Sequence, residues 1–198
     1  RSNSIYSLLV DDRGAVWVGH FQAGLDYSLY QNGLFRTYAY PPQFNSANLS
    51  IRSFVNRGPE KVIGSRDGLF YINEATGIVK SFVKPVLTSD LILTICFYEG
   101  EYYIGTYGGG MMVLNPQTLS LKYFTQGDTE LFQKGHIFCV KPDNRGNLWI
   151  GTSQGLFCYN GQTKQIKNFT STNSQLPEGN VYEVSFDSTG KGWIATET

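Results

Sequence analysis

The chain has 198 residues, of which 41% are hydrophobic, 15% are aromatic and 22 are glycines. This length allows one or two ordinary domains, and the apolar content is sufficient for a packed core. The 16 acidic and 16 basic residues cancel, which disfavours a protein that binds nucleic acid or anionic membranes, since both need a basic surface. No apolar run approaches the roughly 18 residues that a transmembrane helix needs.

One phrase recurs along the chain. Its clearest copy, Asp143–Tyr159, consists of a turn (DNRG), a strand that ends in LWIGT and a second strand that begins with GLFCY. The small residue near the end of the first of these strands returns at intervals of 45, 41, 46 and 44 residues, at Gly19, Gly64, Gly105, Gly151 and Ala195. A period of about 40–50 residues with several short strands per repeat is typical of a β-propeller, in which each repeat forms one blade.

The repeats predict an all-β propeller domain over residues 1–198, with four complete four-stranded blades and the first two strands of a fifth. The blades are predicted at about 4–38, 50–82, 91–124, 136–169 and, incomplete, 180–198. The links 39–50, 83–91, 125–136 and 170–180 are predicted to be surface loops, and no helix-period stretch of ten or more residues occurs.

The first strand of each blade carries two apolar residues three positions apart. These pairs are Ile5 and Leu8, Ile51 and Phe54, Ile92 and Ile95, Ile137 and Val140, and Val181 and Val184. We expect this strand to lie innermost in its blade, along the central channel, because it is short and apolar on both sides of its pleat.

The turn after the first strand and the strand that follows it contain the structural candidates. Asp11, Asp143 and Asp187 each precede a glycine by three residues, so each carboxylate is expected to accept backbone N–H groups of a turn. The next strand carries Trp17, Trp149 and Trp193, which we predict to be buried between blades. The small residue two positions later allows the neighbouring sheet to approach closely.

Cysteine and histidine residues give no sign of a metal or cofactor site. Cys96, Cys139 and Cys158 lack metal-ligand spacing and are interpreted as buried thiols. The two histidines, His20 and His136, lie in different repeats and are fewer than a metal site normally uses. We therefore predict no metal and no cofactor.

The turns that join the second and third strands contain the candidate ligand contacts, because propellers bind ligands where such loops converge. Aromatic rings with amide and guanidinium donors are the groups that a sugar-binding surface uses. The candidates are His20, Phe21, Gln22, Arg66, Asp67, Tyr107 and Gln154. For each of them, an ordinary role as an exposed loop residue remains the alternative.

The recurring pattern N-x-V/I-x-x-Φ, D-x-x-G-x-L-W-I-G-T and x-x-G-L-x-x-Y resembles the two-component regulator propeller repeat. The resemblance covers Asn3–Thr196 and is clearest in the first, fourth and fifth repeats, whereas the turns at 56–60 and 98–101 depart from the pattern. It implies a periplasmic sensor region of a hybrid histidine kinase, of the kind found in Bacteroides-type bacteria. Kinase chemistry would then lie outside this segment.

The resemblance also implies the partners of the chain: a small-molecule or oligosaccharide ligand, the remaining blades of a seven-bladed ring, an immunoglobulin-like domain and a second copy in a homodimer. A propeller carbohydrate lyase or hydrolase, or a protein-interaction scaffold, is the alternative function. The chain begins without methionine, and we expect it to be an arc of a longer protein. Its two end blades would each expose an apolar face and favour self-association.

Overall fold

The computed structural model describes residues 4–11, 14–22, 24–28, 35–37, 50–127 and 129–197. The predicted loop 39–50 lies almost entirely outside these residues. The chain divides into two compact units, Arg1–Ile92 and Leu93–Thr198, which we call unit 1 and unit 2. The described part is built from antiparallel sheets and one short helix. The β-propeller fold class is confirmed, and each sheet is one blade.

Unit 1 contains two four-stranded sheets whose strands follow one another in chain order. Sheet 1 consists of β1 (Ile5–Val10), β2 (Val16–His20), β3 (Gly24–Ser28) and β4 (Phe35–Thr37). Sheet 2 consists of β5 (Ile51–Arg57), β6 (Glu60–Ser65), β7 (Leu69–Asn73) and β8 (Ile78–Phe82). Strand β5 packs against β1 and β2, so that the first strand of sheet 2 covers one face of sheet 1.

Sheets 3, 4 and 5 follow and belong to unit 2, apart from Ile92, the first residue of β9, which is the last residue of unit 1. Sheet 3 consists of β9 (Ile92–Tyr98), β10 (Glu101–Thr106), β11 (Met111–Leu114) and β12 (Leu121–Tyr123). Sheet 4 consists of β13 (Ile137–Pro142), β14 (Asn147–Thr152), β15 (Gly155–Asn160) and β16 (Ile166–Phe169). Sheet 5 has two described strands, β17 (Val181–Phe186) and β18 (Gly192–Thr196).

A short helix, α1 (Thr129–Lys134), lies in the link between sheets 3 and 4, which the sequence predicted to be a loop. Two adjacent apolar residues, Leu131 and Phe132, are 1% and 0% exposed and hold the helix against the core. The Phe132 ring packs edge-on against Phe124 and Phe157, with centroids 5.0 and 5.3 Å away. Packing on the sheets, rather than helical periodicity, therefore stabilises this single turn.

A β-bulge explains why the apolar residues of the first strand are three positions apart. Ile137 pairs with Thr152, but Cys139 pairs with the next residue, Gly151, so Phe138 is an extra residue in the strand. One extra residue reverses the alternation of the side chains, and positions i and i+3 then share a face. The same register shift occurs in β1, β5 and β17.

Burial of these apolar pairs is nearly complete in sheets 2 to 5, where no member is more than 8% exposed. The pair in β1 differs, because Ile5 and Leu8 are 52% and 66% exposed. In unit 1, β5 covers the opposite face of sheet 1, and no described strand of the unit covers β1 in the same way. Self-association through this apolar face remains a prediction.

The recurring glycine is required by close approach, as the sequence predicted. A Cβ atom built on Gly151 would lie 2.6 Å from Cys139 Sγ and 2.6 Å from the Val181 carbonyl oxygen. A Cβ atom on Gly105 would lie 2.7 Å from Ile137 Cγ2. In each case one contact belongs to the first strand of the next sheet, so the glycine sets the distance between sheets.

The turn aspartates act as hydrogen-bond acceptors for the strand that follows. Asp143 Oδ1 accepts the N–H groups of Arg145 and Asn147, each at 2.8 Å, and Oδ2 accepts Trp149 Nε1–H at 2.9 Å. Partial burial alone would raise the pKa of Asp143, but the hydrogen bonds from Asn147 and Trp149 outweigh it, and the pKa lies below its usual value. The ionised carboxylate therefore stabilises the folded turn.

Two of the three thiols are buried in the sheets. Cys96 and Cys139 are 7% and 1% exposed, and burial raises the pKa of each to about 12. Cys158 is partly exposed. The two buried thiols therefore remain protonated and unreactive near neutral pH.

We expect Gly151→Ala to lower the free energy of unfolding by about 1–3 kcal/mol, the usual cost of adding atoms to a packed site. The Cys139 side chain can rotate, whereas the Val181 carbonyl is fixed in its strand. Gly192→Ala is the control, since its Cβ would lie 3.2 Å from the nearest atom, a ring carbon of Phe186. Urea denaturation measures both variants, and equal losses would contradict the packing explanation.

We expect Asp143→Ala to lower the free energy of unfolding by about 1–3 kcal/mol at neutral pH, because several donors lose their acceptor. A carboxylate with a depressed folded pKa stabilises above its unfolded pKa of about 4 and ceases to do so as the pH falls through the folded value. The loss should therefore shrink in acid. Asp187→Ala, at a fully exposed turn, should cost less; urea denaturation between neutral and acidic pH tests both.

Candidate functional site

In sheets 1, 2, 4 and 5, one end presents variable side chains on a fixed backbone. We call it the bulge end: the first strand starts there with its bulge, and the second strand finishes there. The residue after the second strand donates its N–H to the carbonyl of the residue before the first strand. These bonds are Phe21 to Ser4 at 2.9 Å, Arg66 to Ser50 at 3.1 Å, Ser153 to His136 at 3.2 Å and Glu197 to Asn180 at 3.1 Å.

The bulge residue itself is free to vary, because it has no direct partner in the neighbouring strand. In β5, β13 and β17, the apolar residue before it is buried against the core, whereas the bulge residues are large side chains of varied chemistry. They are Tyr6, Arg52, Phe138 and Tyr182. The sequence analysis did not select them, although the residue after the first apolar residue of each strand was a signal that could have found them.

In unit 1 the bulge ends of sheets 1 and 2 bring two aromatic rings and a guanidinium together. Tyr6 and Phe21 meet edge to face, with ring centroids 5.3 Å apart. The guanidinium carbon of Arg52 lies 4.9 Å from the centroid of the Tyr6 ring. Tyr6 is 45% exposed, so this group is open to solvent. Of the candidates selected from the sequence, Phe21 belongs to this group.

His20 faces its own sheet. In sheets 2, 3 and 4, the equivalent residue is a serine or threonine whose hydroxyl donates to a glycine carbonyl, as Thr152 does to Gly155 at 2.9 Å. His20 Nε2 instead lies 3.1 Å from Asp26 Oδ2, and both side chains are 13% exposed. His20 therefore links β2 to β3, and the structure leaves little of it for a ligand.

The other candidates of unit 1 lie on exposed turns. Gln22 is exposed and has a positive φ of 54°. Arg66 and Asp67 are exposed on the turn after β6, and the Asp67 N–H donates to Ser65 Oγ at 2.9 Å. The Arg66 N–H donates to the Ser50 carbonyl. This bond places Arg66 at the bulge end, beside Arg52.

Unit 2 carries a row of neighbouring rings, which we call the aromatic row: Tyr107, His136, Phe138 and Tyr182. The ring centroids of Tyr107 and His136 are 4.0 Å apart, those of His136 and Phe138 are 6.1 Å apart, and those of Phe138 and Tyr182 are 4.9 Å apart. The two end members, Tyr107 and Tyr182, are 50% and 42% exposed. The row thus runs from the turn after β10 of sheet 3 to the bulge ends of sheets 4 and 5.

Polar atoms accompany the aromatic row. His136 Nδ1 is buried and has no hydrogen-bond partner within the described ranges. Asn180 Nδ2 donates to the Tyr182 hydroxyl at 3.0 Å and to Glu197 Oε2 at 2.8 Å. Tyr107 was predicted, whereas the other three rings of the row were not.

Gln154 lines a cleft that contains no residue of the aromatic row. This cleft has a volume of about 270 Å³ and is bordered by Thr170, Ser171, Pro177 and Glu178. The Gln154 N–H donates to Thr152 Oγ1 at 3.0 Å, which fixes the turn. In unit 2, the structure therefore gives Tyr107 and Gln154 different neighbours.

The prediction that all three tryptophans are buried between blades is wrong for Trp193. Trp17 is 6% exposed and Trp149 is partly buried. Each meets a phenylalanine from the first strand of the next sheet, Phe54 or Phe186, with centroids 6.0 Å apart. Trp193 is 59% exposed, because no described sheet covers that face of sheet 5.

Within the described ranges, no group of three or more His, Cys, Asp or Glu side chains is arranged to hold a metal ion. None of the helices in that part of the chain has the length and apolar character to cross a membrane. The exposed bulge ends, with their aromatic and guanidinium groups, remain the candidate functional surfaces.

Comparison with known families supports the repeat assignment. Residues 1–22 and 132–154 match the family model for the two-component regulator propeller. These segments contain the bulge ends of sheets 1 and 4. No curated protein sequence matches the chain. The resemblance to two-component regulator propeller repeats is confirmed.

Solved structures agree with this result. The extracellular domain of a hybrid two-component system from B. thetaiotaomicron matches 98% of this chain, with a TM-score of 0.74 and 26% identity. A second such domain from the same organism matches 100% of it, with a TM-score of 0.66 and 18% identity. The chain spans 26% and 31% of those two chains. The WD40 propeller domain of Doa1, at 14% identity and a TM-score of 0.70 over 97% of this chain and 60% of that chain, shares the fold.

We expect the three tryptophans to differ in quenching by acrylamide, because their exposure differs. In variants that retain one tryptophan and carry phenylalanine at the other two positions, Trp193 should be quenched most and Trp17 least. The emission maximum should shift to longer wavelength in the same order. Fluorescence titration checks this, and equal protection of Trp193 and Trp17 in monomeric protein would contradict the assigned exposures.

Proposed function

We propose, from the two-component regulator propeller repeats that this chain carries, that it is a noncatalytic, periplasmic sensor segment of a bacterial hybrid histidine kinase. Its ligand is an oligosaccharide. The observation that carries the proposal is the likeness to the extracellular domain of a hybrid two-component system over 98% of the chain. A segment of that kind detects a ligand outside the cytoplasm and transmits the binding event to a kinase elsewhere in the polypeptide.

The aromatic row supports an oligosaccharide as the ligand. Sugar rings present C–H groups that pack on aromatic faces, while their hydroxyls bond to phenol, amide and imidazole groups. The row supplies exposed Tyr107 and Tyr182, and the adjoining Asn180 and Glu197 supply a donor and an acceptor. Successive rings at spacings of 4.0, 6.1 and 4.9 Å make a continuous surface rather than a single contact.

The partners follow from the same proposal. The full protein contributes further blades that complete a seven-bladed ring, together with an immunoglobulin-like domain, and two copies associate as a homodimer. The short share of the Bacteroides chain that this segment spans, 26%, is in keeping with a larger protein. Because the described bulge ends carry rings and guanidinium groups, the ligand binds there and not at the opposite ends of the sheets.

We expect the chain to bind oligosaccharides on a glycan array without altering them. Tyr107→Ala and Tyr182→Ala should each weaken binding by roughly tenfold, which corresponds to about 1.4 kcal/mol, because each removes an exposed end of the aromatic row. Tyr123→Ala is the control, since Tyr123 is 46% exposed on β12, outside the row.

Two results would contradict the proposal, and they point to different alternatives. Turnover of a bound oligosaccharide, detected by product analysis, would identify a lyase or hydrolase. An array without any binding would remove the oligosaccharide ligand and favour a protein-interaction scaffold. Equal loss of binding in the Tyr123 variant would show that the row has no special part in recognition.

A further inference from the structure

Positive charge is concentrated beside the exposed Tyr6 ring and the partly buried Phe21 ring at the bulge end of sheet 2. Arg52 is the bulge residue of β5, and Arg66 is the first residue after β6. Ile51 pairs with Ser65, and the Arg66 N–H donates to the Ser50 carbonyl at 3.1 Å. The two arginines therefore leave the backbone at neighbouring points of one sheet end. The whole chain has a net charge of zero, so this concentration is local.

Among the described residues, Arg52 contacts an aromatic ring and forms no ion pair with an acid. Its guanidinium carbon lies 4.9 Å from the centroid of the Tyr6 ring, within the range of a cation–π interaction. Its Nε is buried without a hydrogen-bond partner among the residues that the structure describes. The same is true of the hydroxyl of Ser50, a residue that is 2% exposed. Two polar atoms at this end, Arg52 Nε and Ser50 Oγ, thus have no partner among the described residues.

The opposite end of the same sheet provides the contrast. There Arg57 pairs with Glu60 at 3.5 Å and buried Lys61 pairs with Glu74 at 2.6 Å. In the part of the chain that the structure describes, neither Arg52 nor Arg66 has an ion pair of this kind. The adjacent acid, Asp67, is exposed, and its N–H is bound within its own turn. Sheet 2 therefore neutralises its cations at one end and leaves them available at the other.

We propose that the bulge end of sheet 2 binds the negatively charged group of an acidic oligosaccharide. The guanidinium N–H groups of Arg52 and Arg66 donate to the oxygens of a carboxylate or a sulfate ester. Paired N–H donors facing paired oxygens give the strongest charge-assisted hydrogen bonds. Tyr6 and Phe21, which meet at 5.3 Å, pack against the adjoining sugar ring. This inference rests on the proposed function and specifies the ligand class.

The test is a glycan array probed with the full chain and four variants. The array carries oligosaccharides of uronic acids, sulfated oligosaccharides and neutral oligosaccharides of matched length. We expect acidic glycans to bind, and the arm that binds identifies the anion as carboxylate or sulfate. Arg52→Ala and Arg66→Ala should each weaken binding at least tenfold, and Arg52→Lys should have an intermediate effect because it keeps the charge but loses the fork.

Arg57→Ala is the matched control and should bind as the parent does, since this arginine lies on the same sheet at the opposite end. Binding should also weaken as NaCl is raised. Retained circular dichroism in Arg52→Lys separates loss of binding from loss of fold.

Each outcome decides between the two proposals. Binding of neutral glycans with unchanged affinity in the arginine variants overturns the anion site and leaves the sensor proposal standing. Binding of acidic glycans that is unaffected in Arg52→Ala and Arg66→Ala also overturns the anion site, because the charge is then recognised elsewhere. An array without any binding overturns the oligosaccharide ligand and the anion site together.

Discussion

The structure depends on the close approach of one sheet to the glycine of another. In unit 2, the Val181 carbonyl oxygen lies so near Gly151 that a methyl group there would be 2.6 Å away. Packing at this distance requires the apolar residues of the approaching strand to share a face, and the β-bulge provides that arrangement by inserting one residue. Glycine and bulge are therefore two parts of one solution, and they recur together in both units.

The same solution creates the surface on which function is proposed. A bulge residue has no direct cross-strand partner, so packing does not dictate its identity. Phe138 and Tyr182 form the aromatic row of unit 2 with rings from other positions, and Tyr6 carries the guanidinium of Arg52 in unit 1. The backbone bond between the two flanking residues keeps each of these side chains at the same end of its sheet.

Strand positions were predictable because their causes are local. The glycine period, the apolar pairs and the turn aspartates each leave a residue pattern that can be found without knowledge of distant contacts. The helix α1 was not predictable, since it is only six residues long and is stabilised by packing. Trp193 was assigned to the core by its similarity to Trp17, although burial depends on whether another sheet lies above it, as Phe54 does for Trp17.

The candidate site was only partly predictable for a related reason. Tyr107 and Phe21 were identified because they follow the second strand of a repeat, a position visible in the sequence. The ring that stacks on Tyr107 belongs to His136, 29 residues later in the chain, and that contact arises from the approach of two sheets. His20, the last residue of β2, instead lies against the Asp26 carboxylate of the neighbouring strand, a contact between two strands that the sequence pattern does not show.

The backbone hydrogen bond at each bulge end has a consequence for how recognition can change over time. Because the Arg66 N–H and the Ser50 carbonyl make this bond, it is independent of the side chains that flank it. Substitutions at Phe21, Arg52 or Arg66 can therefore change the side chains presented at the bulge ends of sheets 1 and 2 while the backbone bond is retained. The requirements for a folded blade and the identities of the exposed side chains at its bulge end therefore concern separate sets of residues.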